Sequence, residues 1–128
     1  MAEILIIDDD ELLTAVVALK FARAGHTVRT ARNGSEGLAL ALERRPDAVL
    51  LDVMMPVMTG PETLGRIRME PTLDGVPVII LSARESQSDI RIALAEGAAD
   101  YVVKPFVAAD LLARVEALIA APGRADAA

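Results

Sequence analysis

Five short apolar runs alternate along the chain with segments in which apolar residues recur every three or four positions. Ile4-Leu5-Ile6-Ile7 is β-branched-rich and stopped by three acids, the pattern of a parallel strand covered on both faces. Asp10 can cap a following helix, in which Leu12, Val16 and Leu19 recur at helical spacing until Gly25 ends it. A brief strand over 27–30 precedes the Asn33-Gly34 turn signal. Ser35 is then the expected cap of a helix with Leu38, Ala41 and Leu42 inward, ended by Arg44, Arg45 and Pro46. Residues 48–51 form the next buried strand, closed by Asp52. A loop with Pro56 and Gly60 leads to Pro61, which suits a first helical turn, with Leu64 and Ile67 facing inward. Residues 77–81 predict a fourth strand closed by Ser82, and a helix over 88–96 ends at Gly97. A fifth strand over 100–103 leads through Lys104-Pro105 to a last helix with Leu111, Leu112, Val115, Leu118 and Ile119 on one face. The alternation predicts an α/β fold: a doubly wound parallel sheet with right-handed crossovers and helices on both faces. Residues 1–120 make one domain, and 121–128 read as a disordered tail or the start of a linker.

In such a sheet, ligands sit beyond the carboxyl ends of the strands, where strand order reverses. The polar residues at those ends are Asp8, Asp9 and Asp10 after strand one, Asp52 after strand three, Ser82 after strand four and Lys104 after strand five. Singly, an Asp or Ser at such a turn is an ordinary helix cap, and that is the favoured reading of Asp10. Asp8, Asp9 and Asp52 together are different if the first and third strands are central. Like charges about 4 Å apart at an effective dielectric of about 20 repel by about 4 kcal/mol, so a cation must relieve them. An all-oxygen set without His or Cys suits Mg²⁺ better than zinc or copper. A divalent ion beside a carboxylate, a hydroxyl and an ammonium also suits phosphoryl transfer, which is mostly positioning and charge neutralisation. Any of the acids qualifies as nucleophile by type. Asp52 is the best candidate because it stands alone, whereas Asp8 and Asp9 form a pair suited to an ion. On that reading Ser82 would hydrogen-bond one phosphoryl oxygen and Lys104 would neutralise another.

Composition narrows the partners. The 128 residues carry 19 acidic against 13 basic side chains, a net charge of −6, which opposes binding to a phosphate backbone. With Phe21, Tyr101 and Phe106 as the only aromatics, stacking on bases is also disfavoured. The absence of cysteine excludes disulfides, thiolate zinc sites and cysteine nucleophiles. The start lacks the basic region and cleavage site of a secretory signal, no run is long enough for a membrane span, and a cytoplasmic protein is expected.

Ile4–Asp10, Leu-Leu-Asp-Val-Met-Met-Pro at 50–56 with Gly60, Leu-Ser-Ala at 81–83 and Tyr-Val-Val-Lys-Pro-Phe at 101–106 stand in one order at the predicted strand ends. In these pieces the chain resembles the receiver domain of bacterial two-component response regulators, similar to the chemotaxis regulators, over residues 3 to about 120. The resemblance implies a flavodoxin-like sheet of strand order 2-1-3-4-5. It implies that Asp52 accepts phosphate from a sensor histidine kinase or phosphotransfer protein, and that Asp8, Asp9, Asp52 and the Met54 carbonyl surround Mg²⁺. It further implies that Ser82 and Lys104 bind the phosphoryl group, that Lys104-Pro105 is cis, and that Tyr101 is a switch aromatic moving with Ser82. Met54 and Arg84, two residues after the acceptor and the switch hydroxyl, would shield the phosphate from water and slow its loss to minutes or longer. The readout would be a face of helix four, strand five and helix five, toward a downstream effector that the sequence does not identify.

The departures are few. Thr59 stands where an acid is frequent, and Ser82 replaces the commoner Thr, yet no needed hydroxyl or carboxylate is lost. Asp100 and Arg114 match regulators that form homodimers through the readout face, whereas Ile90 and Ala99 occupy places usually charged there. Dimerisation through that face is thus left open. His26 reads as a surface residue and Met54, Met55 and Met58 as loop packing. No Gly-rich phosphate loop follows strand one, which opposes a dinucleotide-binding or P-loop protein. Two rival readings remain. A Mg²⁺-dependent phosphohydrolase with an Asp nucleophile would need an acid two residues after it, where Met54 stands, and a phosphorylation-independent pseudo-receiver would not need the complete acceptor set.

Overall fold

The computed structural model of the chain describes residues 2–53, 58–84 and 86–120. The roles expected of Met54 and of the tail 121–128 lie outside the described residues. The elements alternate as β1 (Glu3–Ile7), α1 (Glu11–Arg23), β2 (Thr27–Ala31), α2 (Gly34–Glu43), β3 (Ala48–Asp52), α3 (Gly60–Arg68), a 3₁₀ turn (Pro71–Leu73), β4 (Val78–Ser82), α4 (Gln87–Ala95), β5 (Asp100–Val103) and α5 (Ala108–Ala120). All strand pairs are parallel, in the order β2-β1-β3-β4-β5. This is the doubly wound sheet expected from the alternation, with the strand order that the resemblance implied.

Successive side chains of a strand point to opposite faces, and here both faces are covered. Leu5, Ile7, Val49, Leu51, Val78 and Ile80 pack with Ala41, Leu64 and Ile67 on one side. Ile4, Ile6, Leu50, Ile79 and Leu81 pack with Val17, Phe21, Leu111 and Val115 on the other. That double burial is why β1, β3 and β4 are uninterrupted apolar runs.

Helix orientation and capping add detail that spacing left open or placed differently. On α1 the recurring Leu12, Val16 and Leu19 face outward, 77%, 52% and 54% exposed, while Val17 and Phe21 are buried. The helix is apolar on two sides, so its period leaves open which side meets the sheet. The α2 cap is Asn33, not Ser35: its side chain accepts the Glu36 amide at 2.9 Å, and Glu36 returns a bond to the Arg32 amide. Starting the helix at Gly34 turns Gly37 onto Ile7, where an added Cβ would lie 2.3 Å from the Ile7 side chain, and leaves Leu42 44% exposed. His26 is not a surface side chain. It follows Gly25, at φ +94°, is 8% exposed, and meets Glu116 of α5 at 2.9 Å.

Candidate functional site

Strand register builds the site. Ile7 pairs with Leu51, so the next residues, Asp8 and Asp52, emerge side by side from central strands. Asp52 pairs with Leu81 and Ser82 with Val103, so Ser82 and then Lys104 lie one step further along the neighbouring strands. Each functional group is thus the first polar residue after a buried apolar run. The Lys104 amide bonds to the Ser82 carbonyl at 2.7 Å, and the Lys104–Pro105 bond is cis. Gly60 brings α3 against the acceptor strand: its amide bonds to the Val53 carbonyl at 2.9 Å, and a Cβ there would stand 2.6 Å from the Asp52 carbonyl oxygen.

The carboxylates of Asp8, Asp9 and Asp52 each offer an oxygen within 4.8 Å of the others. Asp8 and Asp52 are buried and Asp9 is exposed. The Asp8 Oδ1 accepts the Asp10 amide at 2.9 Å, and Asp10 caps α1 through the Leu13 amide, as expected. Lys104 Nζ donates to Asp8 Oδ2 at 3.0 Å and to Asp52 Oδ1 at 3.1 Å, so one ammonium sits between two buried carboxylates. Burial, and then the charge of Asp8, pushes the Asp52 carboxyl above its ordinary range against the opposing pull of Lys104. Burial works to lower the Lys104 ammonium, but its hydrogen bonds to Asp8 and Asp52 outweigh this and hold it higher. Three clustered carboxylates against one ammonium leave negative charge uncompensated. The all-oxygen donor set therefore fits a hard divalent cation held by Asp8, Asp9 and Asp52.

Ser82 and Tyr101 meet through one residue. The Ser82 hydroxyl accepts the Arg84 amide at 3.0 Å, and the Tyr101 hydroxyl donates to the Arg84 carbonyl at 2.8 Å. The Tyr101 ring lines a cavity with Val53, Arg84, Asp89 and Ala93. The Arg84 side chain is 61% exposed, with Nη1 4.0 Å from Asp89. That main-chain link was not legible in the sequence, because a peptide group carries no residue signature. The structure thus brings Asp8, Asp9, Asp52 and Lys104 into one cluster and couples Ser82 to Tyr101.

The family model described as "Response regulator receiver domain" matches residues 4–116. The transcriptional regulatory protein AfsQ1 of Streptomyces coelicolor is 42% identical over 119 residues, covering 93% of this chain and 52% of that protein. PrrA of Mycobacterium tuberculosis is 44% identical over 116 residues, 91% of this chain and 49% of that protein. The chain therefore spans about half the length of the curated relatives it matches. Among solved structures, chemotaxis protein CheY4 of Vibrio cholerae superposes with a TM-score of 0.87 at 35% identity, covering 92% of this chain and 98% of that one. A putative response regulator from Chloroflexus aurantiacus gives 0.88 at 32%, covering 94% and 98%. Among the described residues no helix is long and apolar enough to cross a membrane. Fold and sequence agree across nearly the whole length, and the chain belongs to the response regulator receiver domain family, a family of signalling proteins.

Proposed function

We propose that this domain is a phosphorylation switch in which Asp52 accepts a phosphoryl group from the phosphohistidine of a sensor histidine kinase or phosphotransfer protein, in a Mg²⁺-dependent reaction. The observation that carries this is a buried carboxylate bridged by one ammonium to a second buried carboxylate at the carboxyl edge of the sheet. An Asp52 oxygen attacks phosphorus, the P–N bond breaks, and its electron pair stays on the donor imidazole, which takes up a proton from solvent. Mg²⁺ held by Asp8, Asp9, Asp52 and the Met54 carbonyl would neutralise charge on the transferring phosphoryl oxygens. Lys104 leaves its carboxylates for one phosphoryl oxygen, and the Ser82 hydroxyl donates to another. Ser82 then releases the Arg84 amide, and the Arg84 carbonyl that holds Tyr101 moves with it. In this reading the domain covers 1–120, with 121–128 a tail or linker. It acts in the cytoplasm without binding nucleic acid and catalyses only its own phosphorylation and dephosphorylation.

The output face is α4, β5 and α5. No side chain of α4 is fully buried, and Ile92, Leu94 and Val107 are 56%, 46% and 61% exposed. Arg114 and Asp100 pair within the chain at 2.8 Å, so a homodimer on this face would draw on those apolar side chains. The outward stripe Leu12, Val16 and Leu19 begins beside the acidic pocket and gives a phosphodonor a surface to dock on. Val16→Asp is expected to slow transfer from the cognate phosphodonor protein about tenfold or more while leaving labelling by acetyl phosphate unchanged, because a charge placed in an apolar contact disrupts docking and not chemistry. Parallel loss in both assays would remove the docking role.

Acetyl phosphate with Mg²⁺ is expected to add one phosphoryl group per chain by intact mass, with the gain abolished by chelation. Labelling that survives chelation would overturn the Mg²⁺ role, and no labelling by any phosphodonor would leave the pseudo-receiver. Steady turnover of a phosphomonoester would instead favour the phosphohydrolase. Once formed, the aspartyl phosphate is expected to last minutes or longer, and Arg84→Ala to shorten that lifetime severalfold by opening the site to water. An unchanged lifetime in a radiolabel chase would show that this side chain does not shield.

A further inference from the structure

The imidazole of His26 lies at the edge of the sheet opposite the pocket and has no part in phosphoryl transfer. Its side chain is 8% exposed, although it follows a turn glycine. The Ala2 amide donates to Nδ1 at 3.1 Å. A main-chain N–H can only donate, so Nδ1 is an acceptor and the ring proton is on Nε2. That N–H points to Glu116 Oε2 of α5 at 2.9 Å. The ring tilts 54° against buried Phe21 of α1, with centroids 6.2 Å apart. One side chain therefore joins the start of β1, the end of α1 and α5.

Another polar tie of α5 joins Arg114 to Asp100 at 2.8 Å. Residues 114 and 116 are two apart, about 200° around a helix, so the ties leave α5 on opposite flanks. They also run to opposite edges of the sheet: Asp100 opens edge strand β5, and His26 immediately precedes edge strand β2. Leu111 and Val115 are buried, with Leu112, Leu118 and Ile119 packed partly buried beside them, an apolar face on one side of the helix that resists lifting better than rolling. Opposed ties on the two flanks oppose roll.

We propose that His26, as the neutral Nε2–H tautomer, is a positioning residue for α5: with Glu116 it balances the Arg114–Asp100 tie and so fixes the roll of the helix. Its consequence for signalling rests on the reading that α5 belongs to the output face, whereas the clasp itself does not.

The test uses the unphosphorylated chain, with His26→Ala, Glu116→Ala and Glu116→Gln compared by amide NMR. Glu116 is half exposed, so its variants keep the core intact. In the wild type, the imidazole nitrogens are expected to report an unprotonated Nδ1 and a protonated Nε2. His26→Ala and Glu116→Ala should shift amides along α5 and on to Asp100, leaving Val49, Leu50 and Leu51 in place. Glu116→Gln, which keeps an acceptor for Nε2–H, should retain the wild-type pattern. Asp52 labelling by acetyl phosphate should be unchanged in all three. A protonated Nδ1, a perturbation that never reaches Asp100, or Glu116→Gln behaving like Glu116→Ala would each overturn the proposal. Failure of the wild type to label would count against the switch reading alone, since the NMR comparison needs no phosphate.

Discussion

Asp52→Asn is expected to take up no phosphoryl group where the wild type takes up one, and to melt at a higher temperature in metal-free buffer. The first half follows from chemistry: an amide at residue 52 lacks the anionic oxygen that forms the new bond, and the exposed Asp9 and the Lys104-bridged Asp8 are placed to hold a cation. The second half follows from electrostatics. Burial and the neighbouring Asp8 raise the Asp52 carboxyl above its unfolded value, so the folded state binds that proton more tightly than the unfolded chain does. For a carboxyl shifted this way, stability is gained as pH falls through the raised value and is lost above it. Above that raised value the ionised Asp52 is therefore a net cost, which the neutral amide removes while Lys104 keeps its bond to Asp8. Intact mass after acetyl phosphate and paired thermal melts check both halves. Residual stoichiometric labelling would move the acceptor elsewhere, and a lower melting temperature would show that the Lys104–Asp52 bond outweighs the repulsion.

Lys104→Ala should produce the opposite stability change, together with a stronger dependence on Mg²⁺. The wild-type ammonium is the cation that the fold places between two buried carboxylates, and its side chain is 23% exposed. Removing one partner of a buried ion pair costs about 3–5 kcal/mol, and partial exposure here reduces the expectation to about 2 kcal/mol. The raised Lys104 value means that its contribution is complete below the unfolded pKa and lost only as pH rises through the folded one, so the loss should be fully visible at neutral pH. A divalent cation that binds the folded state alone stabilises it by mass action, and without Lys104 it meets less competition for Asp8 and Asp52. Melts across a Mg²⁺ titration should converge on the wild type as the ion saturates. Parallel curves for the two proteins would show that Lys104 and the ion do not share these carboxylates.

The core strands and every polar group at their ends were legible in the sequence, for a local reason. A strand buried on both faces must be apolar throughout, so the first charged residue marks its exit and names a candidate. Asp8, Asp52, Ser82 and Lys104 were all found this way. Helix orientation was not legible. On α1, Leu12, Val16 and Leu19 keep the same period as Val17 and Phe21, and only the strands beneath decide which set is covered. The α2 start shifted by the same kind of contact: Gly34 and Gly37 are needed where α2 meets Thr63 and Ile7, which lie far along the chain.

Residue order alone settled the element types and the edge of the sheet at which the polar side chains of the candidate site stand. These depend on spacing and side-chain type within a few neighbouring residues. Three-dimensional packing settled the rest: which carboxylates become neighbours, that a single ammonium spans two of them, that the Arg84 peptide joins Ser82 to Tyr101, and that His26 is bonded to Glu116. Those contacts join residues from separate strands and helices. They exist only once strand register and helix crossovers have brought the segments together, and no local pattern encodes that distance.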